Sequence, residues 1–332
     1  MCRNKIVIAV VIALMAAVPL AALMFGRYPV PLADVIGSLC PMLGLDVSDM
    51  SRNIVVNIRL PRVLLAMAAG AGLAVAGAAF QAVFSNPLAT PDTLGVATGA
   101  SFGAVLAILA GLPVFAVQFA SLAAGLAAAA IVIFVSRVRG SSPVIMMILA
   151  GMVTGALFSA LVSLVKFAAD PQDVLPSVTF WLLGSLSGTT FSTLAIGTPL
   201  IIAGTFTLFL YRWRLNSMTL SNDEATSLGI NVRHTRFAII TAAAAITASV
   251  VSMCGLIGWV GVLIPHASRM IFGNDNRAVI PASAALGAVF MLIIDTIARS
   301  VTEAEIPASI LTAVIGAPFF IILLRRTGGI RE

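Results

Sequence analysis

The sequence predicts an all-α membrane protein, a polytopic bundle of about ten transmembrane helices forming a single domain over residues 1–332. Three observations carry this expectation. Of the 332 residues, 60% are hydrophobic and 10% are charged, against about 25% charged in an ordinary soluble domain. The mean hydropathy is +1.09. Uncharged runs of about 20 residues, the length that crosses a hydrocarbon core as a helix, recur from Ile6 to Leu324 between short charged connections.

The first run, 6–25, follows Arg3 and Lys5 as a secretory leader would. It is longer than a leader's apolar core, and Gly26-Arg27-Tyr28-Pro29 is a poor cleavage site, so a retained helix is expected. The second run, 63–84, begins after Pro61, a residue suited to a first helical turn. The stretch from Thr93 to Ser136 is too long for one crossing, and Gly111-Leu112-Pro113 divides it into 93–111 and 114–135. Runs 143–165 and 191–211 follow, separated by a segment, 167–190, with Asp170, Asp173 and two helix-like stretches around Trp181. Gly255, Gly258 and Gly261 split the next apolar stretch into 237–254 and a short 258–272, whose length leaves a full crossing open. The last runs are 278–298 and 308–324. Gly95, Gly99 and Gly103 recur every four residues, and Gly151 and Gly155 repeat the spacing; such faces let helices approach closely in lipid.

With ten spans both termini share a side. Placing them in the cytoplasm leaves six of the 19 basic residues outside: Arg27, Arg52, Arg59, Arg62, Lys166 and Arg299. The other thirteen lie inside, which is the orientation that the positive-inside rule selects for a multi-pass membrane protein. The net charge of +6 is thus an orientation signal, and no nucleic-acid partner is expected. Cys2, Cys40 and Cys254 are too scattered for a metal cluster or disulfide framework and read as small packing residues. His234 reads as loop charge and His266 as structural, because neither has a further ligand at metal-binding spacing. No catalytic residue, metal site or cofactor is expected.

Four segments are too polar or irregular for ordinary connections. They are Arg59-Leu60-Pro61-Arg62; Phe80-Gln81 through Ser85-Asn86-Pro87-Leu88 to Gly95; Ser221-Asn222-Asp223-Glu224-Ala225-Thr226-Ser227-Leu228-Gly229-Ile230-Asn231; and Gly258-Trp259-Val260-Gly261 to Pro265-His266. In this order they resemble the FecCD-type permeases of ABC importers for iron chelates, haem and cobalamin. The resemblance covers the chain from Arg59 to Arg326. It implies a homodimer-forming type II importer permease, working with two cytoplasmic ATPase subunits and an extracytoplasmic substrate-binding protein. Independently of it, the chain lacks a G-x-x-x-x-G-K-[ST] loop and has only Lys5 and Lys166 as lysines, so if transport uses ATP another chain must bind it.

The segment from Ser221 reads as a short surface helix, with N-terminal residues Ser221, Asp223 and Glu224, followed by Ala225, and a C-terminus at Leu228 and Gly229. The resemblance makes it the element that couples to the ATPase. It also matches Asn86 and Leu88 to a cytoplasmic gate and, in looser register, Ser142 to a second gate strip. Arg59 and Arg62 sit outside against the positive-inside bias, and Arg62 falls in the first turn of a helix started by Pro61, where the dipole disfavours a cation. An anion is therefore expected beside them. The resemblance implies that Arg59, Arg62 and Arg299 receive acidic residues of the binding protein; snorkelling to lipid phosphates is the plainer alternative. Asp295, four residues before Arg299, is expected to pair with it structurally.

Two other classes compete. An ion-coupled secondary transporter usually carries ionisable residues near the midplane, and no span here has a central carboxylate. An intramembrane enzyme needs a metal motif or a nucleophile with its base, and neither is visible. Ferric siderophore is the first expectation for cargo, then cobalamin, then haem.

Overall fold

The computed structural model describes residues 2–137 and 144–326. α1 (Cys2–Met24) leads to two short helices, α2 (Leu32–Leu39) and α3 (Asp49–Asn53). α3 runs through a π-helical turn, Ile54–Arg59, directly into α4 (Leu60–Val83). Then come α5 (Val96–Leu109), α6 (Val114–Val135), α7 (Val144–Ala168), α8 (Val174–Leu182) and α9 (Phe191–Ser217). The surface helix α10 (Asn222–Ser227) precedes α11 (Val232–Cys254), α12 (Val260–Phe272), α13 (Asn276–Ser300) and α14 (Ala308–Arg326).

Among the described residues, seven helices are long and apolar enough to cross a membrane, α5 and α12 are shorter apolar helices, and α14 is apolar over Ala308–Ile321. Together they fall on the ten expected runs. α5, with 14 residues, and α12, with 13, rise only about 20 Å each. A hydrocarbon core is about 30 Å thick, so neither spans it alone.

α4 is the central helix, packed against α9, α11, α12 and α13. In its most apolar window 78% is buried, against 28% for α7 and for α9, so α4 is core while α7 and α9 present their side chains outward. Small residues make this possible, because helices in lipid associate by close packing rather than by escaping water. A Cβ on Gly70 would lie 2.1 Å from the Gly287 carbonyl oxygen, and one on Gly77 would lie 1.9 Å from that of Gly261. Backbone therefore touches backbone where α4 crosses α13 and α12. The glycines singled out by spacing sit around α5: Gly151 against the Thr93 carbonyl, Gly155 beside Gly95, Gly99 against Ala128 and Gly103 against the Ala120 carbonyl.

Three expectations are corrected. Pro61 does not start a helix. Helical backbone is continuous from Asp49 to Val83, and the wide π turn, with Leu60 N–H donating to the Val55 carbonyl, accommodates the proline that an ordinary turn would exclude. The 167–190 segment holds one helix, α8, rather than two. Its tail folds inward: Ser185 N–H donates to the Cys254 carbonyl at 2.8 Å, and Ala308 N–H to the Gly184 carbonyl at 2.9 Å. This tail covers the irregular backbone between α11 and α12, where Trp259 adopts a left-handed φ of 70°, and non-helical backbone at membrane depth is tolerated only when so covered. Finally, Cys40 is exposed at the end of α2, whereas Cys254 is buried as a packing residue should be.

Candidate functional site

One end of the bundle carries a charge cluster built from α1, the π turn with α4, α13 and the 301–307 connection. Arg59 donates to the Leu23 carbonyl at 2.6 Å, to the Met24 carbonyl at 3.0 Å, and to the Tyr28 carbonyl. The first two are carbonyls that the end of α1 leaves without helical partners, and a cation there also suits the helix dipole. Arg62 donates from Nε to Asp295 Oδ1 at 2.8 Å and from Nη1 to Glu305 Oε1 at 2.9 Å. Arg299 reaches Asp295 Oδ2 at 3.5 Å and donates to the Ala22 carbonyl. The expected Asp295–Arg299 pair is thus one edge of a four-residue ion-pair network of Arg62, Asp295, Arg299 and Glu305, with Arg59 held alongside by backbone carbonyls. The anion that Arg62 requires is present within the chain, as Asp295 and Glu305.

Burial grades this network. Arg59, Arg62 and Arg299 are 5%, 8% and 7% exposed and Asp295 is 0% exposed, while the Glu305 side chain keeps 28% of its surface. Burial pushes the Glu305 carboxyl up, but the Arg62 hydrogen bond and the charges of Arg62, Arg27 and Arg299 outweigh this and hold it below the usual glutamate value. The three arginines form an internal clasp whose most accessible member is Glu305.

The opposite end carries α10. Ser221 Oγ accepts from Glu224 N–H at 3.3 Å, and Glu224 accepts from Ser221 N–H at 3.0 Å, a complete capping box. The Ser221 hydroxyl also donates to Glu224 Oε2 at 2.8 Å, and this bond, followed by the one from Ser221 N–H, holds the Glu224 carboxyl below its ordinary value. The helix ends at Gly229, whose φ of 77° is left-handed, and Ile230 N–H closes back onto the Ala225 carbonyl at 3.2 Å. Only Ala225 is buried; Asp223 is exposed and Leu228 is 64% exposed. α10 is a short helix capped at both ends, with its outer face exposed.

At the same end of the bundle, Asn86 Oδ1 accepts from Leu88 N–H at 2.9 Å, fixing a tight turn after Ser85, which has a φ of 45°. Asn86 and Leu88 are exposed; Ser142 lies outside the described residues. A cavity of about 750 Å³ opens next to this turn, lined by Gln81, Asn86, Asn216, His266, Arg269 and Asp275 among others. Arg269 donates to Gln81 Oε1, and Gln81 donates to the Gly261 carbonyl at 3.2 Å, tying α12 to α4. Asn216 bridges to α13, donating to Asp275 Oδ1 at 2.7 Å and accepting from Asn276 N–H at 2.8 Å. Among the described residues no group of three histidine, cysteine or acidic side chains is placed to hold a metal ion.

Sequence reasoning missed Glu305, Gln81 with Arg269, and Asn216 as connecting residues. Each acts through a partner on another helix, and no local spacing marks such a pair.

Comparison with known proteins gives a consistent context. The chain is 38% identical over 291 residues to the molybdate import system permease MolB of Haemophilus influenzae, covering 87% of this chain and 86% of that protein. It is 37% identical over 284 residues to the cobalamin import system permease BtuC of Halobacterium salinarum, covering 85% and 76%. A solved structure, described as an inward-facing conformation of a metal-chelate type ABC transporter, superposes with a TM-score of 0.87 at 34% identity, covering 97% of this chain and 99% of that one. The model of the FecCD transport family matches residues 11–326, and the chain belongs to that family.

Proposed function

We propose that this permease works as a homodimer, with two cytoplasmic ATPase subunits and an extracytoplasmic binding protein, to import a ferric siderophore. The observation that carries the ATP-driven reading is α10, a short helix capped at both ends, anchored through one buried alanine and presenting Leu228 outward. A chain with no phosphate-binding loop needs such a rigid surface element to receive motion from another protein. The ferric-chelate cargo is supported by relatives named as iron chelatin permeases of Helicobacter pylori, at 39% identity over 283 residues, and an Fe(3+)-citrate permease of Bacillus subtilis, at 37% over 289. The MolB relative makes a molybdenum oxyanion the second reading.

The binding protein docks, on this proposal, at the arginine end. Arg59, Arg62 and Arg299 already have internal acceptors, so an incoming carboxylate reaches them from the Glu305 side, where the cluster is most accessible. Both termini and α10 face the cytoplasm on this proposal, which the distribution of basic residues supports.

Proteoliposomes containing the permease, its ATPase and the loaded binding protein test the proposal. ATP-dependent accumulation of radiolabelled ferric siderophore is expected, and Leu228→Glu should reduce uptake while the permease still inserts. Uptake that needs no ATPase and collapses with a proton ionophore would overturn it. Molybdate bound by the cognate binding protein in place of the ferric chelate would replace the cargo and leave the permease role standing.

A further inference from the structure

Two cavities at the α10 end join into one site. The larger, about 1110 Å³, lies among α6, α7, α10 and α11, with an apolar floor that includes Ile133 and Ile240 and a rim carrying Arg137, Arg233 and His234. The smaller, about 490 Å³, runs between α6 and α11 from the same place to Leu126 and Ala244. Ile133, Arg137 and Phe237 line both. Among the described residues no carboxylate lines either one.

The dimensions match one class of molecule. From Leu126 to its end at Val135, just before Arg137, α6 rises about 14 Å, which is about half of a 30 Å hydrocarbon core and so the depth of one leaflet. Phe134 and Phe237 are exposed at the junction, where aromatic rings mark the level of the headgroups. Small side chains, Ala129, Ala130 and Ala244, keep the groove open below it. A cationic mouth over an apolar slot one leaflet deep is complementary to an anionic headgroup with an acyl chain attached, and a soluble anion would leave the slot unfilled.

We propose that this site binds an anionic glycerophospholipid, its phosphate between Arg137 and Arg233 and one acyl chain in the groove between α6 and α11. Asn222, Thr226 and Gly229 line the headgroup cavity, so the bound lipid also buttresses α10 against the bundle. The inference rests on the membrane embedding of the chain and does not depend on its cargo.

The test uses the full-length chain in nanodiscs with phosphatidylglycerol carrying a photoreactive diazirine in its acyl chain. Crosslinks are expected in peptides covering 126–134 and 237–244, with phosphatidylcholine of the same chain labelling them far less. Arg137→Gln and Arg233→Gln should each weaken labelling about fivefold, the value of one basic residue at an anionic surface. Ala130→Trp, which fills the groove, should remove it; Ala130→Leu serves if the tryptophan variant is not monodisperse. Equal labelling by phosphatidylcholine would reduce the site to ordinary lipid contact and overturn the proposal. Competition by glycerol phosphate as strong as by the lipid would make it a soluble-anion pocket. A disulfide between two Ala130→Cys chains would show that a second copy covers the groove. Uptake activity enters none of these readouts, so failure of the importer reading would leave them intact.

Discussion

Asp295 holds two arginines together in a place that water does not reach, and its removal should be among the most damaging single changes in the chain. Its side chain is fully buried, with Arg62 Nε at 2.8 Å and Arg299 Nε at 3.5 Å. Breaking a buried ion pair by deleting one partner costs about 3–5 kcal/mol, because the surviving charge is left desolvated. In Asp295→Ala both guanidiniums lose their shared carboxylate and repel each other, so the upper part of that range is expected. Glu305 contacts Arg62 at 2.9 Å but keeps 28% of its side-chain surface. Partial solvation screens that pair, and Glu305→Ala should cost about 1 kcal/mol. The assay is unfolding of the purified chain in mixed micelles, followed by tryptophan fluorescence at increasing denaturing detergent. Asp295→Ala should move the midpoint several times further than Glu305→Ala, with Asp295→Asn between them because it retains an acceptor. Equal shifts for the two alanine variants would refute the reasoning, since Asp295 differs from Glu305 both in full burial and in holding a second arginine.

Two further outcomes follow from the same geometry. Ser221→Ala removes one half of the α10 capping box and should destabilise that helix by about 0.5–2 kcal/mol, seen as faster amide exchange confined to the α10 segment and no change in the midpoint for the whole chain. Because the Glu305 carboxyl is held below its ordinary value of 4.5, its tie to Arg62 is fully present above that pH and is lost as pH falls through the lower folded value. Amide exchange in the 301–307 connection should therefore stay slow down to about pH 4.5 and accelerate below it, and Glu305→Gln should remove this acid dependence.

The spans were legible because a 20-residue apolar run has one stable outcome in lipid, and Gly111-Pro113 and Gly255 to Gly261 mark breaks by their backbone chemistry. α10 was legible from Ser221 to Gly229 for a similar reason: caps and a left-handed glycine are local signals. Arg62 exposes the limit. Its unfavourable position called for an anion, and the sequence placed the Asp295–Arg299 pair correctly, yet nothing local shows that Arg62 and Asp295, 233 residues apart, meet. The π turn was hidden because Pro61 is also a good first-turn residue, and only the continuity of helix from Asp49 distinguishes the two cases. The spacing rule drew attention to the glycines around α5, while Gly70 and Gly287, which let α4 touch α13, carry no repeat.

That crossing explains how distant charges are brought into register. Arg62 and Gln81 are 19 residues apart on α4, about 28 Å along a helix, and Asp275 and Arg299 bracket α13 over a comparable depth. Each helix thus has an ionic contact near one end and a polar one near the other: Arg62 with Asp295 and Glu305 on one side, Gln81 with Arg269 and Asp275 with Asn216 on the other. Between them Gly70 and Gly287 approach so closely that a residue with a Cβ brought to either position by a slide would meet the partner's carbonyl oxygen. Glycine contact in the middle fixes the register, and the register delivers Arg62 to Asp295 at hydrogen-bonding distance. In lipid, where apolar side chains gain little by meeting each other, this combination of a backbone contact and terminal polar ties is what makes the arrangement of the two helices specific.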